Sequence, residues 1–258
     1  MSHIEQVGFF QAVVEANEAF VEGASVLEIG SYDVNGSVRS LFPTAGRYVG
    51  VDLVAGPGVD LVEFAHRLDH DDDIYDVTIS SECFEHDQHW PETFANMVRM
   101  TRPGGLVAFS CASRGRPEHG TARTDGTQSP GTHAVGLDYY RNLQTSDFEQ
   151  ALPLRAMFSE YRTWSLRTHF DLYFAGVKAG GGAGICASLP DDATVRRLKS
   201  LMPLPDKVVR APLRMLSRVV PEPRYQSIIR PYWNLYLRMA GATSPSPVGA
   251  TPWDPVVL

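Results

Sequence analysis

Val26-Leu27-Glu28-Ile29-Gly30-Ser31-Tyr32-Asp33-Val34-Asn35-Gly36-Ser37 is the stretch on which the fold turns. Val26, Leu27 and Ile29 form a short apolar run, the pattern of a strand buried on both faces of a parallel sheet. Glu28 interrupts that run at its carboxyl end. Gly30 and Gly36 bracket a small polar turn, and Ser37 to Phe42 reads as the start of a helix. Strand, glycine turn and helix make half of a nucleotide-binding βαβ unit, in which ligands sit beyond the carboxyl ends of the strands. At Gly30 the missing Cβ lets the backbone approach a ligand. The turn is not G-x-G-x-x-G and no lysine follows it, so pyrophosphate cradling is poorly supported. An acid just before the first glycine suits a ligand with a positive end.

The pattern continues outward. Tyr48-Val49-Gly50-Val51-Asp52 is a second strand ending in an acid, placed to take a ribose diol. Ala55-Gly56-Pro57-Gly58 is a turn, and Val59 to Val62 a third short strand. Tyr75 to Ser81 is a further strand, followed by Glu82-Cys83-Phe84-Glu85-His86. Thr101-Arg102-Pro103-Gly104-Gly105 ends a helix and turns into the strand Leu106 to Cys111. Phe158 to Arg167 and His169 to Lys178 read as the last two strands.

Glu28-Ile29-Gly30-Ser31, Val49-Gly50-Val51-Asp52, Ser80 to His86 and Arg102-Pro103-Gly104-Gly105, in this order and spacing, resemble the class I S-adenosylmethionine-dependent methyltransferases. The resemblance covers residues 24–180. It implies an α/β, Rossmann-like fold: a mostly parallel seven-stranded sheet with an antiparallel last strand. It also implies S-adenosylmethionine as cofactor, held by Glu28, Gly30, Ser31, Gly36, Asp52, Leu53, Phe64, Ala65 and Ser81. Glu63 is the one acid placed to meet an adenine amino group; backbone groups and stacking near Phe64 and Leu53 are the other candidates. Further stretches, among them His119-Gly120-Thr121, Asp138 to Leu143 and Asp171 to Lys178, resemble bacterial methyltransferases linked to glycan and polysaccharide assembly. The expected acceptor is therefore a hydroxyl of a saccharide. The alternatives are a small natural product as acceptor, or a non-catalytic protein that binds S-adenosylmethionine.

Methyl transfer from a sulfonium donor needs alignment above all, and a hydroxyl acceptor also gains from a base. Three histidines are candidates. His86 follows a strand end, while His119 and His133 lie in the long irregular segment Ala112 to Asp138, which should hang over the acceptor pocket. A free imidazole would make the rate rise with pH through about 6.5. Glu85-His86-Asp87-x-His89 crowds four polar groups, but Asp87 reads as a cap on the helix opened by Trp90-Pro91-Glu92. A metal site is conceivable there, since imidazole and carboxylate suit several divalent ions, but the expected reading has no metal ligands.

Of 258 residues, 43% are hydrophobic and 21% charged, which fits one sizeable globular domain with additions. A net charge of −7 argues against a nucleic-acid partner. Three cysteines, Cys83, Cys111 and Cys186, make neither a disulfide framework nor a paired-cysteine zinc motif. No apolar run of spanning length and no secretory signal is present, so the expected setting is reducing and cytoplasmic, without membrane contact. The expected division is an amphipathic helix over 1–23, the catalytic core over 24–184, a basic helical addition over 185–243 and a loose tail over 244–258. Leu189 to Ala240 carries 10 Lys and Arg against 4 Asp and Glu, a balance of +6, while the rest carries 13 against 26, a balance of −13. Lys207, Arg210, Arg214 and Arg218 share one helical face there, with Val209, Leu213, Leu216 and Val220 on another. That helix is expected to pack on the acidic core or across a homodimer.

Overall fold

The computed structural model describes residues 3–182 and 184–239, so the tail expected over 244–258 lies outside the described residues. The chain opens with α1 (Ile4–Glu15) and α2 (Glu18–Val21). His3 and Gln6 cap α1 reciprocally: His3 Nδ1 accepts the Gln6 amide at 3.3 Å and Gln6 Oε1 accepts the His3 amide at 3.1 Å, satisfying donors the first turn leaves open. The single helix expected over 1–23 is thus two. Asn17 marks the break, its side-chain amide donating to the Val13 carbonyl at 2.8 Å. Phe9, Phe10 and Val13 of α1 are in the core, while Ile4 is 55% exposed.

The remaining elements follow as β1 (Ser25–Ile29), β2 (Arg47–Asp52), β3 (Leu61–Val62), β4 (Tyr75–Ser81), α3 (Trp90–Met100) and β5 (Thr101–Ala112). Then come α4 (Pro130–Ala134), α5 (Thr145–Ala151), α6 (Leu154–Met157), β6 (Phe158–Leu166) and β7 (Asp171–Lys178). The chain closes with α7 (Asp192–Arg197), α8 (Leu204–Val209), α9 (Ala211–Val219) and α10 (Glu222–Met239). The strands form one seven-stranded sheet in the order β3-β2-β1-β4-β5-β7-β6. The first five pair in parallel and β7 runs antiparallel to both its neighbours. This is the Rossmann-like architecture that the sequence implies. Strand order reverses at β1, between β2 and β4, where open α/β sheets place their ligands.

Alternation along the strands sorts the core into two layers. Val26, Val77, Leu106 and Tyr173 face α1, with Phe9, Phe10 and Leu198. Leu27, Ile29, Phe109 and Phe174 face α3 and α5, with Phe94 and Phe148. Phe109 stacks on Phe174 at 5.0 Å, and burying each such ring contributes about 1.5–3 kcal/mol.

Three local expectations change. The helix read from Ser37 is only a 3-10 turn over Val38–Leu41, capped by Ser37 Oγ on the Arg39 amide. The third strand is confined to Leu61–Val62. Asp87 is not the N-cap of α3, a position held by His89; Asp87 instead accepts from the His89 amide at 2.7 Å and the Thr93 hydroxyl at 2.5 Å.

The carboxy-terminal addition is not one basic amphipathic helix. It breaks at Arg210, and Pro212 opens α9, where its missing N–H costs nothing. Lys207 and Arg218 therefore lie on different helices. Leu213, Tyr225 and Ile229 pack with Phe170 of the β6–β7 turn in a small separate core. No described helix is long and apolar enough to cross a membrane.

Candidate functional site

A cavity opens at the carboxyl ends of β1, β2 and β4, at the reversal of strand order. Gly30 adopts φ +77°, and a Cβ there would come within 2.6 Å of Cys83 Cβ. The tight turn thus brings its backbone against the loop after β4, which only glycine allows without strain. Glu28, Ser31, Gly36, Asp52, Leu53, Phe64, Ala65 and Ser81, all expected from the sequence, line the cavity with Gly30.

Their environments differ. Glu28 is buried and accepts the Tyr48 hydroxyl at 2.8 Å; burial raises its carboxyl to about 7 despite that bond. Asp52 accepts the amides of Tyr32 at 3.1 Å and Leu53 at 2.7 Å. Burial raises its carboxyl above the ordinary range, with these main-chain bonds opposing. Ser31 Oγ is buried without a hydrogen-bond partner. Leu53, Phe64 and Ala65 give the cavity an apolar flank, and Glu63 stands at its rim with its carboxylate turned to the Phe64 amide at 2.8 Å. An acid beneath a glycine turn, an acid at the next strand end and an apolar flank beyond it fit the aminoacyl, ribose and adenine parts of S-adenosylmethionine in that order.

The opposite wall is polar. Glu82, His86, Asp87 and Gln88 come from the end of β4, and Gln128, Ser129 and Thr132 from the segment after β5. That segment does hang over the cavity, and the α4 backbone comes so near that a Cβ on Gly131 would lie 2.6 Å from Asp52 Oδ1. Its histidines do not line the cavity, contrary to the sequence expectation. His133 turns toward Gly126. His119 turns inward behind His86, with ring centroids 5.1 Å apart, edge to face, and Tyr140 closes the group at 5.4 Å from His86 and 5.1 Å from His119.

Burial dominates the electrostatics of this group. It lowers the His86 imidazole to about 3 and His119 well below its ordinary value, so both rings are neutral at neutral pH. Burial, reinforced by the neighbouring Glu82 charge, raises the Glu85 carboxyl to about 8. The expected titration of a catalytic imidazole near 6.5 is therefore not what this environment provides. His119 Nδ1 lies 3.2 Å from the Pro117 carbonyl.

Two residues of the site carried no clear sequence signal. Glu82 follows β4 at φ +52°, a rare conformation for a residue with a Cβ, and both its carboxylate oxygens are buried without a hydrogen-bond partner. Among the described residues its ion-pair partner is Arg116, at 3.7 Å. An acid directly after a strand end was the only hint available. Gln6 reaches the cavity from α1 and donates to the Ser81 hydroxyl.

Behind the polar wall, Arg116 binds Asp171 at 2.8 Å and the His169 carbonyl at 2.9 Å. His3 Nε2 meets the other Asp171 oxygen at 2.9 Å and its ring stacks on His169 at 4.1 Å. The carboxy-terminal addition clamps the same segment: Gln226 donates to the Arg116 carbonyl at 2.8 Å and accepts the Glu118 amide at 2.9 Å, and Tyr225 donates to the Gly115 carbonyl at 2.7 Å. Thus α10 fixes the stretch that carries His119.

Among solved structures, the YcgJ protein from Bacillus subtilis shares the fold, with a TM-score of 0.50 and 14% identity over 69% of this chain and 100% of that one. The phosphoethanolamine N-methyltransferase 2 of Haemonchus contortus, in complex with S-adenosyl-L-methionine, aligns with a TM-score of 0.49 and 14% identity over 66% of this chain and 52% of that one. Among curated proteins, the phthiotriol/phenolphthiotriol dimycocerosates methyltransferase of Mycobacterium leprae (strain TN) is 31% identical over 110 residues, 37% of this chain. The match spans 40% of that relative's length. The methyltransferase domain profile matches residues 2–174: the chain belongs to that family, and its methyl donor is S-adenosylmethionine.

Proposed function

We propose that this protein is an O-methyltransferase that moves the donor's methyl group to a hydroxyl of a saccharide or glycan precursor. The observation that carries the reading is the two-sided cavity, with a donor flank from Glu28 to Ala65 and a facing wall of Glu82, His86, Asp87, Gln128 and Ser129. A wall so rich in hydrogen-bonding groups suits a hydroxylated acceptor better than an aromatic one.

In this reading Asp52 takes the ribose hydroxyls, Glu28 faces the aminoacyl ammonium, and Leu53, Phe64 and Ala65 flank the adenine. Gly30, Ser31, Gly36 and Ser81 shape the channel between them. The donor supplies an electrophilic methyl on a good leaving group, so the chain's main task is to align the acceptor. His86 meets the acceptor hydroxyl, and Glu82 takes its proton as the methyl is transferred. A carboxylate replaces the histidine base expected from the sequence because burial leaves His86 too weak a proton acceptor by itself.

The similarity to a methyltransferase of a lipid alcohol favours a second reading, a hydroxyl on a lipid or glycolipid. A methyl-release assay over saccharides, long-chain diols, phenols and amines tests both. Turnover confined to aliphatic hydroxyls is expected. Preference for an amine, or cofactor binding without turnover on any class, overturns the proposal.

A further inference from the structure

We propose that Glu85, His86 and His119 form a binding site for a divalent transition-metal ion, zinc foremost, beside the acceptor wall. One ligand atom from each residue lies within 4.8 Å of the others, and His119 Nε2 is 3.9 Å from Glu85 Oε1. Ligands around a zinc ion stand roughly 3–3.6 Å apart, given bonds of about 2.0–2.2 Å. Closing the group requires side-chain shifts on the order of 1 Å.

The state of these atoms supports the assignment. Both Glu85 carboxylate oxygens, His86 Nδ1 and His119 Nε2 are buried and make no hydrogen bond. Buried polar atoms are nearly always paired, and leaving one unpaired costs about 1–3 kcal/mol. Here one from each of three residues converges, from two segments: the turn after β4 and the loop after β5. The main chain sets the tautomer that such a site needs. His119 Nδ1 faces the Pro117 carbonyl at 3.2 Å, so its proton sits there and the Nε2 lone pair points at Glu85.

The surrounding charges are mixed. Glu82 adds a second carboxylate close enough to act on Glu85. Arg116 is the opposing cation, but Asp171 engages it at 2.8 Å. Two imidazoles and a carboxylate suit zinc, cobalt, manganese or iron rather than magnesium or calcium. Three protein ligands leave a coordination position open, as in catalytic zinc sites. His86 alone of the three also lines the cavity, which puts the site beside the methyl-transfer site proposed above.

The test is titration of zinc chloride and cobalt(II) chloride into chelator-treated full-length protein, followed by calorimetry and by the visible absorption of bound cobalt. One ion per chain is expected, with tetrahedral or five-coordinate cobalt bands. Glu85→Gln and His119→Ala should each weaken binding at least tenfold, whereas His70→Ala, at a remote histidine, should not. Thermal melting of every variant verifies folding. If either site variant unfolds, His119→Gln takes its place. Absence of binding, or equal binding by the site variants, overturns the proposal. Titration with S-adenosylhomocysteine on the same metal-free sample separates the two claims, because donor binding without metal binding rejects only the metal site.

Discussion

His86 and His119 meet edge to face with ring centroids 5.1 Å apart, one from the turn after β4 and the other from the loop after β5. Of the two, His86 lines the cavity and His119 does not. The contact joins the acceptor wall to a loop that α10 holds from outside through Gln226 and Tyr225. On the proposed reading, the acceptor side therefore depends on the carboxy-terminal helices, while the donor side is built from the sheet.

That division predicts different outcomes for the polar residues. Glu82→Gln should lower the turnover rate at least about a hundred-fold, the scale of a lost general base, while affinity for S-adenosylhomocysteine stays within a few-fold. His86→Ala should act on turnover and acceptor binding together. His133→Ala, which alters a ring outside the cavity, should leave turnover within a few-fold. Single-turnover kinetics with calorimetry separates these effects. A dead His133→Ala protein with active Glu82→Gln would reverse the assignment.

Gly30 predicts a backbone effect. Alanine there must adopt φ +77° and place its Cβ 2.6 Å from Cys83 Cβ. The left-handed conformation alone costs about 1–2 kcal/mol, and the collision adds to it. Gly30→Ala should lower the denaturation midpoint and weaken donor binding. A variant as stable as the parent in urea unfolding would contradict the geometry.

Donor affinity should depend on pH through Glu28, whose carboxyl is raised by burial to about 7. Below that value a proton must leave before the carboxylate can meet the donor's ammonium, so affinity should rise with pH by up to about tenfold per unit. Above it the dependence flattens. The same raised value makes ionisation of Glu28 oppose folding between about 4.5 and 7, so donor binding and ligand-free stability respond oppositely to pH there. Glu28→Gln should abolish the slope in calorimetry at pH 6, 7 and 8.

Arg116 predicts a large loss of stability. Burial alone would raise the Asp171 carboxyl, but His3 and Arg116 hold it below the ordinary carboxylate range. Arg116→Met leaves Asp171 and Glu82 buried beside a neutral side chain, which costs about 3–5 kcal/mol. A depressed carboxyl contributes stability that is present above its unfolded pKa of about 3.9 and is lost as pH falls through its folded value. Asp171→Asn should therefore be less stable at pH 6 yet show a shallower acid limb. Chemical denaturation from pH 2 to 6 measures both.

The lining of the cavity along β1 and β2 was legible in the sequence because its signals are local. Val26 to Ile29 shows a buried strand by its apolar run, Gly30 shows a tight turn by its lack of a side chain, and Asp52 is the acid that ends the short strand from Tyr48. The acceptor side was not legible because its geometry is set over long separations. His119 turns inward under a loop that Gln226 and Tyr225 clamp from α10, and no spacing within the loop encodes that. Glu82 was missed because a positive φ on a glutamate leaves no mark in composition or periodicity. The basic face over Lys207 to Arg218 was misread because Pro212 ends one helix and starts the next, resetting the phase.

Asp52 gives the most direct test of the central claim, that the cavity at the reversal of strand order holds S-adenosylmethionine through the carboxyl ends of β1 and β2. The measurement is calorimetric titration of S-adenosylhomocysteine into the parent protein and Asp52→Ala at the same pH. One site per chain is expected, with the variant weaker by about 1.5–3 kcal/mol, the scale of hydrogen bonds to a charged group. No binding by the parent, or equal affinity in the variant, would contradict the account.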